Sequence, residues 1–277
     1  MRLGILTDIH IAPPGNPADA WHNPHQFDTA RQRLADSIAW LKQQGIDRLA
    51  VLGDLTHHGD DASLRETLGI IAGATVPVWV LPGNHDLGHG PTTLADALAG
   101  SDHAHVEVIG DHPVPFGGTW RVVGTGLAKA IGGGYEATPE PDPATWDDAP
   151  TVVLSHFPLI SLKDACAAVG LKYAGDLVNG PDIVGRLAVR SAPVLVVNGH
   201  LHVRHAATQG AVLQAACGAQ VESLFEATLI DFNQWPNGVV NWTSTAIQPP
   251  WEGPNPALSR DSESWRWTGS GWEQTEA

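Results

Sequence analysis

Five short clusters carry residue types suited to holding cations: Asp8-Ile9-His10, Gly53-Asp54, Gly83-Asn84-His85-Asp86, His156 and Gly199-His200-Leu201-His202. Carboxylate, imidazole and amide oxygen form a hard-to-borderline donor set that suits Mn, Fe, Zn or Mg. In Asp8-x-His10, two residues that alternate on an extended segment point the same way and can reach one ion, and His200-x-His202 repeats the spacing. The glycines before Asp54 and Asn84 would let the backbone turn sharply at the metal. Taken singly, each cluster has an ordinary reading. Asp8 can cap a turn, Gly-Asp is a common turn, and His156 beside Phe157-Pro158 reads as a satisfied loop histidine. A lone His-x-His carries little weight. What argues for a metal site is their common placement along the chain.

Each cluster follows a strand candidate. Leu3 to Leu6 precedes Asp8, Leu49 to Leu52 precedes Asp54, Val76 to Leu81 precedes Asn84, Thr151 to Leu154 precedes His156, and Val194 to Val197 precedes His200. Between the first two strands, Phe27, Ala30, Leu34, Ile38 and Leu41 recur at helical spacing and Gly45 closes the helix. A second helix is expected around Leu64 to Ile71. The resulting β-α-β-α-β series implies a parallel sheet with right-handed crossovers. In such sheets the carboxyl ends of the strands line one crevice, so these side chains are expected to converge there. Residues 132–150 are rich in Gly, Pro and acids and read as a long loop, with helical stretches near Leu162 to Val169 and Ile183 to Leu187. After His202 the pattern alternates without helices, and antiparallel strands are expected at 203–207, 211–215, 227–230 and 239–243.

The 277 residues allow one large domain or two small ones. With no repeat and no linker, the reading is a catalytic domain over residues 1–248 followed by a loosely packed Trp- and Pro-rich extension over 249–277. The tail tryptophans Trp251, Trp265, Trp267 and Trp272 suit packing across a sheet, a homodimer contact or stacking on a base. Packing is the expectation, and dimerisation stays open. The formal net charge is −15, which repels nucleic acid and anionic membrane at long range. A small phosphorylated substrate is still admitted, because bound cations invert the local sign. No apolar run approaches the ~20 residues that span a membrane. The N-terminus reads as a first strand and not a signal peptide, so a cytoplasmic location is expected. Cys166 and Cys217 sit among small apolar residues and read as plain buried thiols. The 14 histidines are the unusual count and prompt the metal reading; His22, His25, His57, His58 and His89 fall in loops that would border such a site.

The order of the clusters, from Asp8-x-His10 to Gly199-His200-x-His202, resembles the calcineurin-like metallophosphoesterase superfamily. The resemblance spans about three-quarters of the chain. It implies an α/β fold in which a two-sheet β-sandwich is flanked by helices, four layers in the order αββα. It also implies two divalent metal ions (Mn²⁺, Fe²⁺/Fe³⁺ or Zn²⁺). Asp8, His10 and His202 would hold the first, Asn84, His156 and His200 the second, and Asp54 would bridge them. Within the superfamily, Gly53-Asp54-Leu55-Thr56-His57-His58-Gly59 and Leu81-Pro82-Gly83-Asn84-His85-Asp86 look most similar to compact bacterial cyclic-nucleotide and glycerophosphodiester phosphodiesterases. That subgroup usually has Asp where His57 stands, and an Arg that often follows its Asn-His-Asp is replaced here by Leu87, Gly88 and His89.

The implied chemistry is hydrolysis of a small phosphate ester, a phosphodiester foremost. A metal-bridging hydroxide would attack phosphorus in line. His85 would contact the phosphate oxygens and protonate the leaving group. Asp86 would either orient His85, as carboxylates often orient imidazoles, or simply stabilise the turn. The alternatives are a phosphomonoesterase, a nucleic-acid nuclease and a non-catalytic scaffold of the same fold. The acidic charge and the absence of a Lys/Arg cluster weigh against the nuclease. The intact ligands and His85 weigh against the scaffold.

Overall fold

The computed structural model describes residues 1–87, 93–222, 225–233, 238–246 and 262–275. The first half follows the expected series: β1 (Arg2–Leu6), α1 (Ala30–Gln43), β2 (Arg48–Leu52), α2 (Asp61–Ile71), β3 (Val78–Leu81), α3 (Leu94–Ala99) and β4 (Val106–Val108). β5 (Val114–Phe116), β6 (Trp120–Gly124), and a small hairpin of β7 (Ala128–Lys129) and β8 (Tyr135–Glu136) come next. Then follow β9 (Thr151–Ser155), α4 (Lys163–Ala168), α5 (Gly180–Ala188), β10 (Val194–Asn198), β11 (His205–Gln209), β12 (Val212–Ala216), β13 (Glu226–Phe232), β14 (Val239–Ala246), β15 (Ser262–Trp267) and β16 (Trp272–Thr275).

The strands form an eight-stranded sheet, β16-β15-β14-β13-β1-β2-β3-β4, and a six-stranded sheet, β11-β12-β10-β9-β6-β5. Strand periodicity decides the layers, because successive side chains leave a strand on opposite faces. Leu3, Ile5, Ala50, Leu52, Trp79 and Leu81 of the first sheet meet Val122, Val152, Leu154, Leu195, Val197 and Leu213 of the second in one buried core. The alternate residues Leu49, Val51, Val78 and Val80 face away and pack on Leu34, Ile38 and Leu41 of α1 and Leu64, Leu68 and Ile71 of α2. On the far side, Val153, Val194 and Val196 pack on Ile183, Val184 and Leu187 of α5. The architecture is the expected α/β sandwich of two sheets flanked by helices.

Two expectations need correction. β12 is not antiparallel to its inner neighbour. It pairs with β10 in parallel, Val194 opposite Val212, while β11 pairs with β12 antiparallel. The chain reverses twice after His202, once through the ligand loop and once at Gly210, and a period of two does not distinguish the two directions. The tail is also better packed than its composition suggested. β15 and β16 extend the large sheet as antiparallel strands, and Trp267 and Trp272 join the core between the sheets. The Trp272 indole N–H donates to the Ala211 carbonyl at 2.9 Å. Burial of the two indoles holds a segment that Ser and Gly made look like loop. The expected boundary at 248/249 and Trp251 lie outside the described residues, as does His89. No helix among the described residues is long and apolar enough to cross a membrane.

Candidate metal centre

All the expected ligands lie just past the carboxyl ends of β1, β2, β3, β9 and β10. Asp8, His10, Asp54, His200 and His202 have left-handed backbones, with φ of 54°, 52°, 49°, 70° and 54°. Among the described residues the only other non-glycine with positive φ is Thr75. Such a backbone costs on the order of 1–3 kcal/mol per residue and persists where the surroundings impose it, typically at functional sites. The two His-containing pairs therefore do not converge through an extended segment, as their spacing suggested. Each residue is turned inward by its own left-handed bend, with Ile9 and Leu201 buried between the pairs. Backbone bonds lock the loops together: the N–H groups of Ile9 and His10 both donate to the Asp54 carbonyl, at 2.9 and 2.8 Å.

The glycines serve a different purpose from the one expected at one of the two positions. Gly53 has φ +89°, a genuine left-handed turn. Gly83 has φ −101° and ψ −178°, open to any residue. It is glycine because a Cβ there would fall on Asp54 Oδ1. A Cβ at Gly199 would likewise collide with Thr7 Oγ1 and lie 2.6 Å from Asp8 Oδ2.

The side chains gather as two overlapping donor groups with Asp8 common to both, and Asp54 lies between a histidine of each. Donor atoms of Asp8, His10 and His202 lie within 4.8 Å of one another, as do those of Asp8, Asp54 and His156. Asp54 Oδ2 is 3.5 Å from His10 Nε2 and 3.3 Å from His156 Nε2. His156 Nε2 is 3.1 Å from Asn84 Oδ1, and the His156 and His200 ring centroids are 5.2 Å apart. His10, Asp54, Asn84, His85, His200 and His202 line one cleft of about 350 Å³.

These residues fit metal ions on two observations. His10 Nε2 and His200 Nε2 are buried with no hydrogen-bond partner, a costly state for a polar atom that nothing coordinates. The second observation concerns His156. Its Nδ1–H donates to the Leu52 carbonyl at 2.7 Å, which leaves Nε2 bare in the neutral ring. That bare nitrogen faces two acceptor oxygens, Asp54 Oδ2 and Asn84 Oδ1, so three lone pairs converge where a cation would satisfy them. Without one, a proton takes the role. Burial alone would lower the His156 pKa, but Asp54 overrides it and raises the value to about 9. His202 behaves alike, raised against burial to about 10 by Asp8 and Glu222. His200 is held neutral, its pKa lowered to about 3 first by burial and then by His156.

His85 is fixed at both ends. Its backbone N–H donates to Asp54 Oδ1 at 2.8 Å, and its Nδ1–H donates to the His57 carbonyl at 2.8 Å. Asp86 does not orient it. The Asp86 carboxylate accepts from the N–H groups of Leu55 (3.1 Å), Thr56 (2.9 Å) and Gly83 (2.9 Å), and from Thr56 Oγ1 (2.9 Å). Asp86 clamps the two metal-side loops together, and the imidazole is oriented by a carbonyl instead.

Residues 1–204 match the calcineurin-like phosphoesterase family. The chain belongs to that family. The matched span contains every expected ligand and His85. A probable cyclic nucleotide phosphodiesterase of Synechococcus sp. is 26% identical over 259 residues, covering 90% of this chain and 88% of that protein. A dimetal phosphatase from Danio rerio superposes with a TM-score of 0.66 at 12% identity, covering 90% of this chain and 96% of that one. TT1561 of Thermus thermophilus superposes at 0.57 with 14% identity, covering 89% and 99%. At these identities the two structures establish the shared fold.

Several residues of this calcineurin-like phosphoesterase escaped the sequence reading. Glu222 accepts from His202 Nδ1 at 2.9 Å and from Asn23 Nδ2 at 3.0 Å, so it orients one of the expected ligand histidines. Nothing local marks it; it is one acid in the loop between β12 and β13. Thr7 donates to Asp8 Oδ2 at 2.8 Å. Asp19, Trp21 and Lys172 line the cleft. Of the bordering histidines, His25 and His57 reach the ligand cluster, with His25 stacked on His10 at 5.5 Å. His22 instead bonds the Leu201 carbonyl, and the exposed His58 bonds the Asn16 side chain. Cys166 and Cys217 are buried free thiols, as expected.

Proposed function

We propose that this chain hydrolyses small phosphodiesters at a pair of divalent metal ions. The observation that carries the reading is the place of Asp54, whose Oδ2 lies between His10 Nε2 at 3.5 Å and His156 Nε2 at 3.3 Å. Asp8, His10 and His202 would hold one ion, Asn84, His156 and His200 the other, and Asp54 both. Mn²⁺, iron and Zn²⁺ all suit these donors. When bound, the ions would neutralise phosphate oxygens and supply an activated water at neutral pH.

The remaining work falls to the chain's own side chains. His85 has Nδ1 committed to a carbonyl, so Nε2 is the atom that would hand a proton to the leaving oxygen. Asp86 keeps the loops bearing Asp54 and Asn84 in register. The cleft suits a small ester, and Lys172 is the cation among its lining residues. A net charge of −15 weighs against a nucleic-acid substrate and an anionic membrane. Preference for a diester is supported by the 26% identical relative described as a probable cyclic nucleotide phosphodiesterase.

The test is turnover of bis-p-nitrophenyl phosphate against p-nitrophenyl phosphate with Mn²⁺, Fe²⁺ or Zn²⁺ added. The expected result is a higher kcat/KM for the diester. A monoester preference would overturn the diester assignment, and no turnover of either ester with any metal would overturn the hydrolytic reading.

A further inference from the structure

We propose that His57 is a positioning residue that sets the tautomers of both His10 and His85, with Asp19 as the outer acceptor of the chain of contacts. This rests on the metal reading above. His57 Nδ1 lies 3.2 Å from His10 Nδ1, and both rings are buried. Two imidazole nitrogens at that distance share one hydrogen, so one ring must donate and the other accept.

The far nitrogen of His10 decides which. His10 Nε2 faces Asp54 Oδ2 at 3.5 Å and has no hydrogen-bond partner. To hold a cation it must be bare, which leaves the ring's hydrogen on Nδ1. His10 therefore donates to His57, and His57 keeps its own hydrogen on Nε2. That nitrogen faces Asp19 Oδ2 at 3.6 Å, longer than a hydrogen bond but across to a carboxylate that is 51% exposed. Asp19 Oδ1 already accepts from the Ala20 N–H at 2.8 Å, which leaves Oδ2 facing the His57 ring and His25 Nδ1 at 3.7 Å.

The backbone of the same residue reaches the other histidine. The His57 carbonyl accepts the His85 Nδ1–H at 2.8 Å, and the two rings stack with centroids 5.2 Å apart and 21° between planes. One residue thus aims a metal ligand through its side chain and the candidate acid through its main chain.

A competing arrangement has a different consequence. Donor atoms of Asp19, His25 and His57 lie within 4.8 Å of one another, and both ring nitrogens of His25 are buried without hydrogen-bond partners. A cation there would need His57 Nε2 bare, which puts the His57 hydrogen on Nδ1. His10 Nδ1 would then accept, and the His10 hydrogen would move to Nε2, removing that nitrogen as a ligand. The two occupancies exclude each other, and the tautomer of His57 tells them apart.

The experiment uses the full chain with Zn²⁺ as probe. Stepwise zinc affinities come from competition with a chelating indicator, and imidazole tautomers from ¹⁵N NMR of the zinc-loaded protein. Expected are two zinc steps in the wild type, with the His57 hydrogen on Nε2. His57→Ala should weaken one step about 10–100-fold and leave the other unchanged. His57→Asp, which restores an acceptor for the His10 Nδ1–H, should recover most of the loss. If His57→Ala fails to fold, His57→Asp and the tautomer carry the test. A hydrogen on His57 Nδ1, unchanged zinc steps in His57→Ala, or a third zinc lost in both His57→Ala and Asp19→Ala would each overturn the relay while leaving the metal reading standing. A wild-type chain that binds no zinc would overturn the metal reading, and the relay with it.

Discussion

The backbone N–H of His85 donates to Asp54 Oδ1 at 2.8 Å, and this bond divides the two oxygens of one carboxylate. Oδ1 is committed to the peptide, so Oδ2 alone is presented to His10 and His156. The candidate acid and the proposed shared ligand are thereby built as one unit, although they stand on loops after different strands.

If Asp54 serves both donor groups, Asp54→Asn should lose metal from both. An amide keeps the shape and can still accept the His85 N–H, but it lacks the charge that bridges two cations. Elemental analysis should show less than one ion per chain, with turnover down by at least about 100-fold, the upper range even for residues that only support a ligand. Two ions retained would contradict the sharing.

His85→Ala should keep its metals and lose turnover by about 10²–10⁴-fold, the usual worth of a positioned proton donor. The measurements are kcat on bis-p-nitrophenyl phosphate and metal content on the same sample. An unchanged kcat would refute the assigned role.

Asp86→Ala should act through stability. It removes one acceptor from each of three backbone N–H groups and a hydroxyl. Leaving buried donors unsatisfied costs about 1–3 kcal/mol each. Thermal unfolding should shift down by several degrees, in the metal-free as well as the metal-loaded chain. A lost kcat with unchanged Tm would instead revive the view that Asp86 orients His85.

Trp267→Ala should destabilise the whole fold by about 3–5 kcal/mol, as large-to-small changes in a core do. Its ring is packed among residues of both sheets, in T-shaped contact with Trp272 at 5.8 Å between centroids. Chemical denaturation should show a single transition moved to lower denaturant. A separate early transition, with the main one unmoved, would mark 262–275 as an independent appendage.

The gathering of these residues was legible because the signal is local and repeated. A strand of branched aliphatic residues that ends in Asp, Asn or His recurs along the chain, and a parallel sheet brings such ends to one edge whatever the details of packing. Periodicity likewise placed β1, β2, β3, β9 and β10 nearly to the residue. How the ligands are aimed was another matter. The spacing of Asp8 and His10 fits an extended segment, yet both have left-handed backbones, Asp8 held by a bond to the Gly53 carbonyl and His10 by one to the Asp54 carbonyl, 44 or more residues away. Gly83 looked like a turn glycine and proved to be a steric one, because the atom it makes room for belongs to Asp54.

What the chain determines by itself is the kind of donor and the strand it follows, since side-chain chemistry and alternation are properties of neighbouring residues. The tertiary structure alone decided who supports whom: Glu222 behind His202, His57 behind His10, Asp86 beneath two loops, and the expected packing of Trp267 and Trp272 achieved on two strands added to the large sheet. Those relations join residues far apart in sequence, and no local pattern encodes them. They exist once burial has taken water from the polar groups and left each to find its partner within hydrogen-bond reach.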